Sequence, residues 1–417
     1  MAEIRPLKAV HYNLAAIPSL ADVTAPPYDV IDSAQRAELL ARSPLNVVEI
    51  DLPQAPAGRD PYEHADETLE AWTLQGVLVA DREPAIWALT QEFTGPAGTA
   101  LTRHGFLARV RVSPYGPGVI RPHERTQPGP KEDRLRLTEA TRHNLSPIFA
   151  LHPGSVWDQI EPHIGSEPWG EVTDSDGTVH RVWRIPDPGI HEAVAERLAK
   201  AELLIADGHH RYETALAYAE SIGGEGPHRY TLMCLVSLED SGLAVFGTHR
   251  LLRDLDADAK ERLTALIESR FDTGEVAEDD LDPAGSDGVG VFGYVDAESG
   301  RGLRLRLKDT AEIDDALRGR SEGYRRLDPV ILEELILKRT LGMSDEAIAA
   351  QRGVGYAKSV EEVRRLLGQG AYDAAFLLRP TPVEQVRQVA GAGETMPPKS
   401  TYFFPKLLTG IVFNPLS

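Results

Sequence analysis

Residues 207–211 read Asp-Gly-His-His-Arg, and four of these five side chains can carry charge or hydrogen-bond. The apolar run Leu203-Leu204-Ile205-Ala206 precedes them at strand length. Tyr212 to Tyr218 follows with helical spacing, Leu216 falling four residues after Tyr212. The polar run therefore stands where a buried strand hands over to a helix. A helix N-terminus carries about half a positive charge and unpaired N–H groups, which suits a phosphate. Gly208 lets the backbone approach a ligand closely, and Arg211 is able to grip phosphate oxygens in pairs. His209 and His210 are donors for the same oxygens. Asp207 is suited to hold Mg²⁺ or to take a proton from a hydroxyl. The plainer alternative makes Asp207 an N-cap, Gly208 a turn residue and the histidines exposed.

Three further stretches have reactive types in rigid settings. Arg121-Pro122-His123-Glu124-Arg125-Thr126, followed by Lys131, Asp133 and Arg134, reads as an anion clamp with Glu124 as a general base. It is not the HExxH zinc motif, because Gln127-Pro128 stands where the second histidine belongs. In Met396-Pro397-Pro398-Lys399-Ser400-Thr401-Tyr402-Phe403, two prolines stiffen the approach to Lys399 and Ser400, with Lys406 just beyond. Thr24-Ala25-Pro26-Pro27-Tyr28-Asp29-Val30 is a rigid turn with one acid and one phenol. A solvated loop, a packing segment and a structural turn are the plainer readings of the three. No GxxxxGK[ST], GxGxxG after a strand, GxSxG or CxxC occurs, which argues against a P-loop kinase, a dinucleotide fold, a serine-elbow hydrolase and a dithiol site.

The elements that must position these residues alternate between helix and strand without strict βαβ regularity, so a mixed α/β or α+β architecture is expected. The spacing predicts helices over 33–43 and 62–76, a strand over 77–81, and a paired antiparallel unit from 85–93 and 105–112. A Pro/Gly-rich loop is expected over 113–133, helix again over 135–142, and a buried strand at 147–152. Residues 190–224 read helix, strand, turn, helix. Strands are expected at 231–240 and 243–252, and Cys234 falls in the first of them. Beyond, helices are expected over AKERLTALIESRF, DPVILEELILKRTLG, SVEEVRRLLGQG and VEQVRQVAGAG, with strands at VGVFGYV, GLRLRLK and 373–380.

The totals bound the partners. At 417 residues the chain is long enough for two or three domains. Sixty-four acidic against 44 basic residues give a formal charge of −20, which repels a polyanion and disfavours nucleic acid as the main partner. A local cluster such as Arg121, Arg125, Lys131, Arg134 and Arg136 is still able to hold a small anion. No run approaches the ~20 apolar residues of a membrane span, and the N-terminus lacks the apolar core of a secretory signal. With one cysteine, no intrachain disulfide forms. The expected location is the cytoplasm, with no membrane partner.

Taken together, TAPPYDVI, RPHERT…KEDRL, HNLSPIF, ADGHHRYETAL and MPPKSTYFFPK resemble the signature boxes of a bacterial and archaeal family of unknown function, number ten-fifteen, over residues 5–413. The DGHHR box is also similar to that of the ParB-like and sulfiredoxin nucleotide-binding superfamily, whose free L-serine kinases carry Asp-Gly-His followed by a basic residue. The resemblance implies a ParB/sulfiredoxin-like core at 156–255, between an N-terminal α/β domain at 1–155 and a C-terminal α/β region at 256–417, with additional mixed-sheet subdomains. It implies an ATP- or ADP-dependent, Mg²⁺-dependent kinase of free L-serine or a similar small hydroxyl compound. Asp207, Glu124 and His209 would then be catalytic, Asp207 also the metal ligand. Gly208, His210, Arg211, Arg125, Lys131, Lys399 and Ser400 would bind nucleotide or substrate. Two departures matter: histidine replaces the cysteine that sulfiredoxin needs, and no helix-turn-helix module or basic face supports a partitioning role. A phosphoserine or nucleotide phosphohydrolase, or a non-catalytic nucleotide-binding regulator, needs the same clamp.

Overall fold

The computed structural model describes residues 2–95, 98–124, 126 and 128–417, without the side chains of Pro128 and Glu278. It is a mixed α+β protein whose chain divides into two compact units. One holds residues 1–122, 126–244 and 405–417, the other residues 123–125 and 245–404.

The first unit is built on a nine-stranded mixed sheet. Across it run Ile120–Arg121, Leu203–Asp207, Ile148–His152, Tyr230–Ser237, Ala100–Arg111, Ile86–Thr94, Val179–Ile185 and Gly170–Thr173, with Ile4–Arg5 against Ala100–Arg111. The antiparallel pair expected from 85–93 and 105–112 forms between Ile86–Thr94 and Ala100–Arg111, the second strand starting five residues earlier, with Trp87 opposite Leu107. Their alternation makes this pairing legible, since each strand buries every second residue against the core. Ile148, Ala150, Met233, Leu235, Phe106 and Ala108 face that core together with Tyr212 and Ala215 of the helix His209–Ile222.

Two expectations change, one in this unit and one at residues 244–252, of which 245–252 belong to the other unit. Helix begins at Pro128, not at 135, and runs to Thr141. Prolines at 128 and 130 are tolerated because a helix's first turn has no intrahelical use for their missing N–H groups. The strand read over 243–252 divides into Ala244–Phe246 and His249–Leu252. Between them, a side chain at Gly247 would stand 2.3 Å from the Leu378 carbonyl oxygen.

The second unit holds a six-stranded antiparallel sheet, ordered Phe271–Glu275, Gly302–Leu307, Val291–Asp296, Ala374–Leu378, His249–Leu252, Val354–Ala357. Ala374, Phe376 and Leu378 face one apolar cluster, Ala375 and Leu377 another. Both faces are therefore covered, which is why AAFLL reads as a continuous apolar run. DPVILEELILKRTLG is helical but wound as a π-helix over Leu332–Thr340.

Candidate functional site

The strand Leu203–Asp207 pairs with Ile148–His152 in a register that slips before its last residue. Ile205 lies opposite Ala150 and Asp207 opposite Phe149, so Ala206 is the extra residue of a bulge. Bulges re-aim the side chains that follow them. Gly208 comes next as the N-cap of a fourteen-residue helix, at φ +94°, a conformation glycine alone adopts at no steric cost. The turn is thus one residue long. Asp207 ends the strand and does not cap the helix, while His209, His210 and Arg211 already lie within it. His209 is buried and His210 half-buried.

One turn of helix returns Arg211 to Asp207, and its Nη2 donates to Asp207 Oδ2 at 3.1 Å. Arg211 Nη1 donates to the carbonyl of Pro147, from the HNLSP stretch. Its Nε is buried without an acceptor. The other carboxylate oxygen of Asp207 faces Lys406 Nζ at 3.5 Å. Lys406 is itself held by its backbone, for Gln91 Nε2 donates to its carbonyl at 3.1 Å and Arg103 Nη2 to that of Pro405 at 2.6 Å. Arg103 Nε donates to Gln91 Oε1 at 3.0 Å, joining the two anchors.

A second guanidinium stands close by. Arg134, 5% exposed, donates from Nη1 to Asp51 Oδ1 at 3.1 Å and to the Asp51 carbonyl at 2.7 Å. Its Nε donates to Asp133 at 2.8 Å, and its guanidinium lies 4.2 Å from the centre of the Tyr28 ring. Burial pushes the Asp51 carboxyl up, against the opposing pull of Arg134 and Arg211. Burial likewise raises the Tyr28 phenol to about 12. Arg134 and Arg211 line a cavity of about 30 Å³ with Asn144, Ser146, Thr138 and Thr214. That is room for two or three waters, or for the terminal group of an anionic ligand. Two guanidinium groups, hydroxyls and an amide are the donor set such an anion needs.

Four of the boxes singled out in the sequence therefore meet inside the first unit, through Tyr28, Arg134, Pro147 and Asp207–Arg211, and Lys406 from the fifth joins them. Lys131 belongs to the same unit, with Nζ 2.9 Å from Glu213 Oε2, whose carboxylate also accepts from Thr126 Oγ1. Lys131 thereby ties helix Pro128–Thr141 to helix His209–Ile222. Glu124, Lys399 and Ser400 fall in the second unit. There Glu124 bridges Met396, Lys399 takes a left-handed φ of 58°, and Ser400 Oγ donates to the Pro397 carbonyl at 2.7 Å. Arg125 lies outside the described residues. Asp51 and Glu213 were not foreseen: each is a single acid in an ordinary segment, visible only through its partner.

For Mg²⁺, the described residues contain no group of three or more His, Cys, Asp or Glu placed to hold a metal. Two carboxylates stand at the anion cavity, Asp51 in its wall on Arg134 and Asp207 behind Arg211. That arrangement fits an ion carried mainly by phosphates and water, the usual Mg²⁺ mode, rather than a cage of protein ligands.

Fold and site together define a mixed α+β protein with a buried cationic cluster at a strand–helix junction. The chain belongs to the family described as "Protein of unknown function (DUF1015)", which matches residues 4–329. No curated protein matches it. Among solved structures it is similar to a conserved hypothetical protein from Pyrococcus furiosus (15% identity, 69% of this chain and 88% of that one, TM-score 0.36). It is similar to a free serine kinase variant in complex with ADP (14%, 71% and 88%, 0.39). A third is SbnI with a C-terminal truncation from Staphylococcus aureus (11%, 73% and 85%, 0.37). No helix among the described residues is long and apolar enough to cross a membrane.

Proposed function

We propose that the protein is a nucleotide-dependent phosphotransferase, an ATP- or ADP-dependent kinase that converts free L-serine or a similar small hydroxyl compound to its phosphate ester. One observation carries the reading. The Asp207–Arg211 pair straddles Gly208 at the start of a helix, beside a cavity walled by the guanidinium groups of buried Arg134 and half-buried Arg211. The DGHHR box, with its similarity to the free serine kinases, supplies the acceptor class.

Arg211 and Arg134 bind the phosphates, with the helix N-terminal pole behind them. Asp207 would be the carboxylate to hold Mg²⁺ carried by the nucleotide, and that ion would supply neutralisation of phosphate charge. Lys406 and Arg211 gain a second anion to pair with, and the Asp207 carboxylate they loosen accepts the hydroxyl proton. The hydroxyl oxygen forms its bond to the terminal phosphorus as the bond to the departing nucleotide breaks. Transfer of this kind is mostly positioning and charge neutralisation, which a preformed cationic pocket suits. All these residues belong to the first unit, and no step is placed on Glu124, Lys399 or Ser400.

Phosphorus NMR of the full chain with Mg²⁺, ATP or ADP, and a panel of amino acids including L-serine tests this directly. A phosphoserine signal that grows as nucleotide is consumed is the expected result. Inorganic phosphate alone, indifferent to any amino acid, makes the same clamp a hydrolase. Binding without turnover makes it a nucleotide-sensing regulator.

A further inference from the structure

A second cavity in the first unit, about 240 Å³, shares no residue with the Asp207 cluster. Its floor is a row across three neighbouring strands. Ser237 pairs with His152, and the antiparallel register Val236 to Gly105 brings His104 to the other side of Ser237. Trp157 covers the row, its ring 4.8 Å from that of His104. Glu239 and Asp240 close the cavity, and no Lys or Arg stands among its described lining residues.

Its polar groups are arranged to accept. Asp240 takes His104 Nδ1 at 3.0 Å on one oxygen and the Gly242 N–H at 2.9 Å on the other, and each oxygen keeps a lone pair. His152 is 1% exposed, with Nδ1 3.3 Å from the Pro153 carbonyl oxygen. Burial holds this imidazole neutral. A carbonyl only accepts, so the ring's proton goes to the backbone. One ring nitrogen is left as an acceptor without a donor among the described residues.

The cavity continues outward. An open groove of about 460 Å³ shares His104 and Trp157 with it and adds Trp183, Glu92 and Glu161. The one cation on its described lining, Arg181, is held between Glu92 and Glu171.

We infer that this cavity and groove bind a linear aliphatic polyamine. Glu239 Oε2 already accepts from the Gly154 N–H at 2.9 Å and from Ser237 Oγ at 2.8 Å. The ammonium groups therefore supply a donor to His152 and the positive charge that the Asp240 and Glu239 carboxylates face, and Trp157 and Trp183 take the cationic methylene chain on their faces. An acidic cleft with apolar walls concentrates such a cation. An amino acid fits worse, because no unpaired cation is there to receive its carboxylate, and a nucleotide is repelled.

The test is calorimetric and tryptophan-fluorescence titration of the full chain with spermidine and putrescine, at about 150 mM salt to screen the overall charge. The expected result is one saturable site, weakened roughly tenfold by Asp240→Asn and by Trp157→Leu. Glu161→Gln, on an exposed side chain, weakens it less and keeps the test open should the interior variants fail to fold. L-lysine, with its carboxylate, binds more weakly than putrescine. Binding that does not saturate, or that all three variants leave unchanged, overturns the assignment as mere attraction to a protein of charge −20. These readouts use no nucleotide, so they stand or fall apart from the kinase reading.

Discussion

Lys406 Nζ lies 3.5 Å from Asp207 Oδ1, a contact that brings the last stretch of the chain onto the strand–helix junction. Arg211 occupies the other oxygen of the same carboxylate, so one acid is held from two sides by cations. If these are the phosphate-gripping groups of a phosphotransferase, Asp207→Asn keeps the shape, removes the base and lowers turnover roughly 10²- to 10⁴-fold. Lys406→Met should raise KM for the nucleotide more than it lowers kcat, since it loses a phosphate contact and keeps the carboxylate. Steady-state kinetics separate the two. Folded Asp207→Asn and Arg211→Ala proteins with full turnover remove the assignment.

Gly208 offers a test independent of charge. Its φ of +94° is unfavourable for any L side chain, and a Cβ there would stand 3.0 Å from the Arg211 guanidinium. Gly208→Ala therefore costs about 1–2 kcal/mol in backbone strain, a fall in Tm of several degrees for a unit of this size. If the site is the proposed kinase's, the displaced guanidinium also weakens nucleotide binding. Thermal denaturation and nucleotide titration of the variant read the two effects, and an unchanged Tm contradicts the conformational argument.

Much of this junction is legible in local sequence because its causes are local. An apolar run of strand length, a glycine and helical spacing place Asp207–Arg211 correctly, and alternation pairs 86–94 with 100–111. What escapes is set by distant residues. Val179–Ile185 was not foreseen as a strand, since VHRVWRI mixes charged and aromatic residues that only its partner Ile86–Thr94 sorts into faces. Asp51 looks ordinary in VVEIDL until Arg134, 83 residues on, is seen to bond it. The bulge at Ala206, which sets where Asp207 points, depends on the register with Phe149 and Ala150 and has no signature of its own. Nor does the order of the boxes announce that Lys406 returns to the first unit while Lys399 stays in the second.

Cys234 gives a reporter of the first unit's integrity. It is the only cysteine, fully buried in the strand Tyr230–Ser237, and burial pushes its thiol up to about 12. The thiolate is the reactive form, so iodoacetamide at about pH 8 should leave the folded chain unlabelled and modify one site once guanidinium unfolds it. Mass spectrometry counts the adduct. Rapid labelling of native protein would show that this sheet opens readily.

The second unit carries a built-in sensitivity to acid at His249. Its ring is 4% exposed, and its Nδ1 accepts the N–H of Leu378 at 3.1 Å, a bond that requires this nitrogen to be unprotonated. Burial pushes the imidazole down to about 4, from 6.5 for an ordinary histidine. Between those values the unfolded chain binds a proton that the folded chain refuses. Stability from this group is therefore complete above about pH 6.5 and is lost as pH falls toward 4, by about 3 kcal/mol at most. His143 and His152, both held low by burial in the first unit, add losses of the same sign. The informative comparison is thus between native protein and His249→Asn, whose side-chain oxygen is able to accept the Leu378 N–H in place of Nδ1 and does not titrate. Urea denaturation at pH 7 and pH 4.5 should show the native midpoint falling further than the variant's. Equal falls would mean that the proton is taken up elsewhere, and that the bond to Leu378 survives acid.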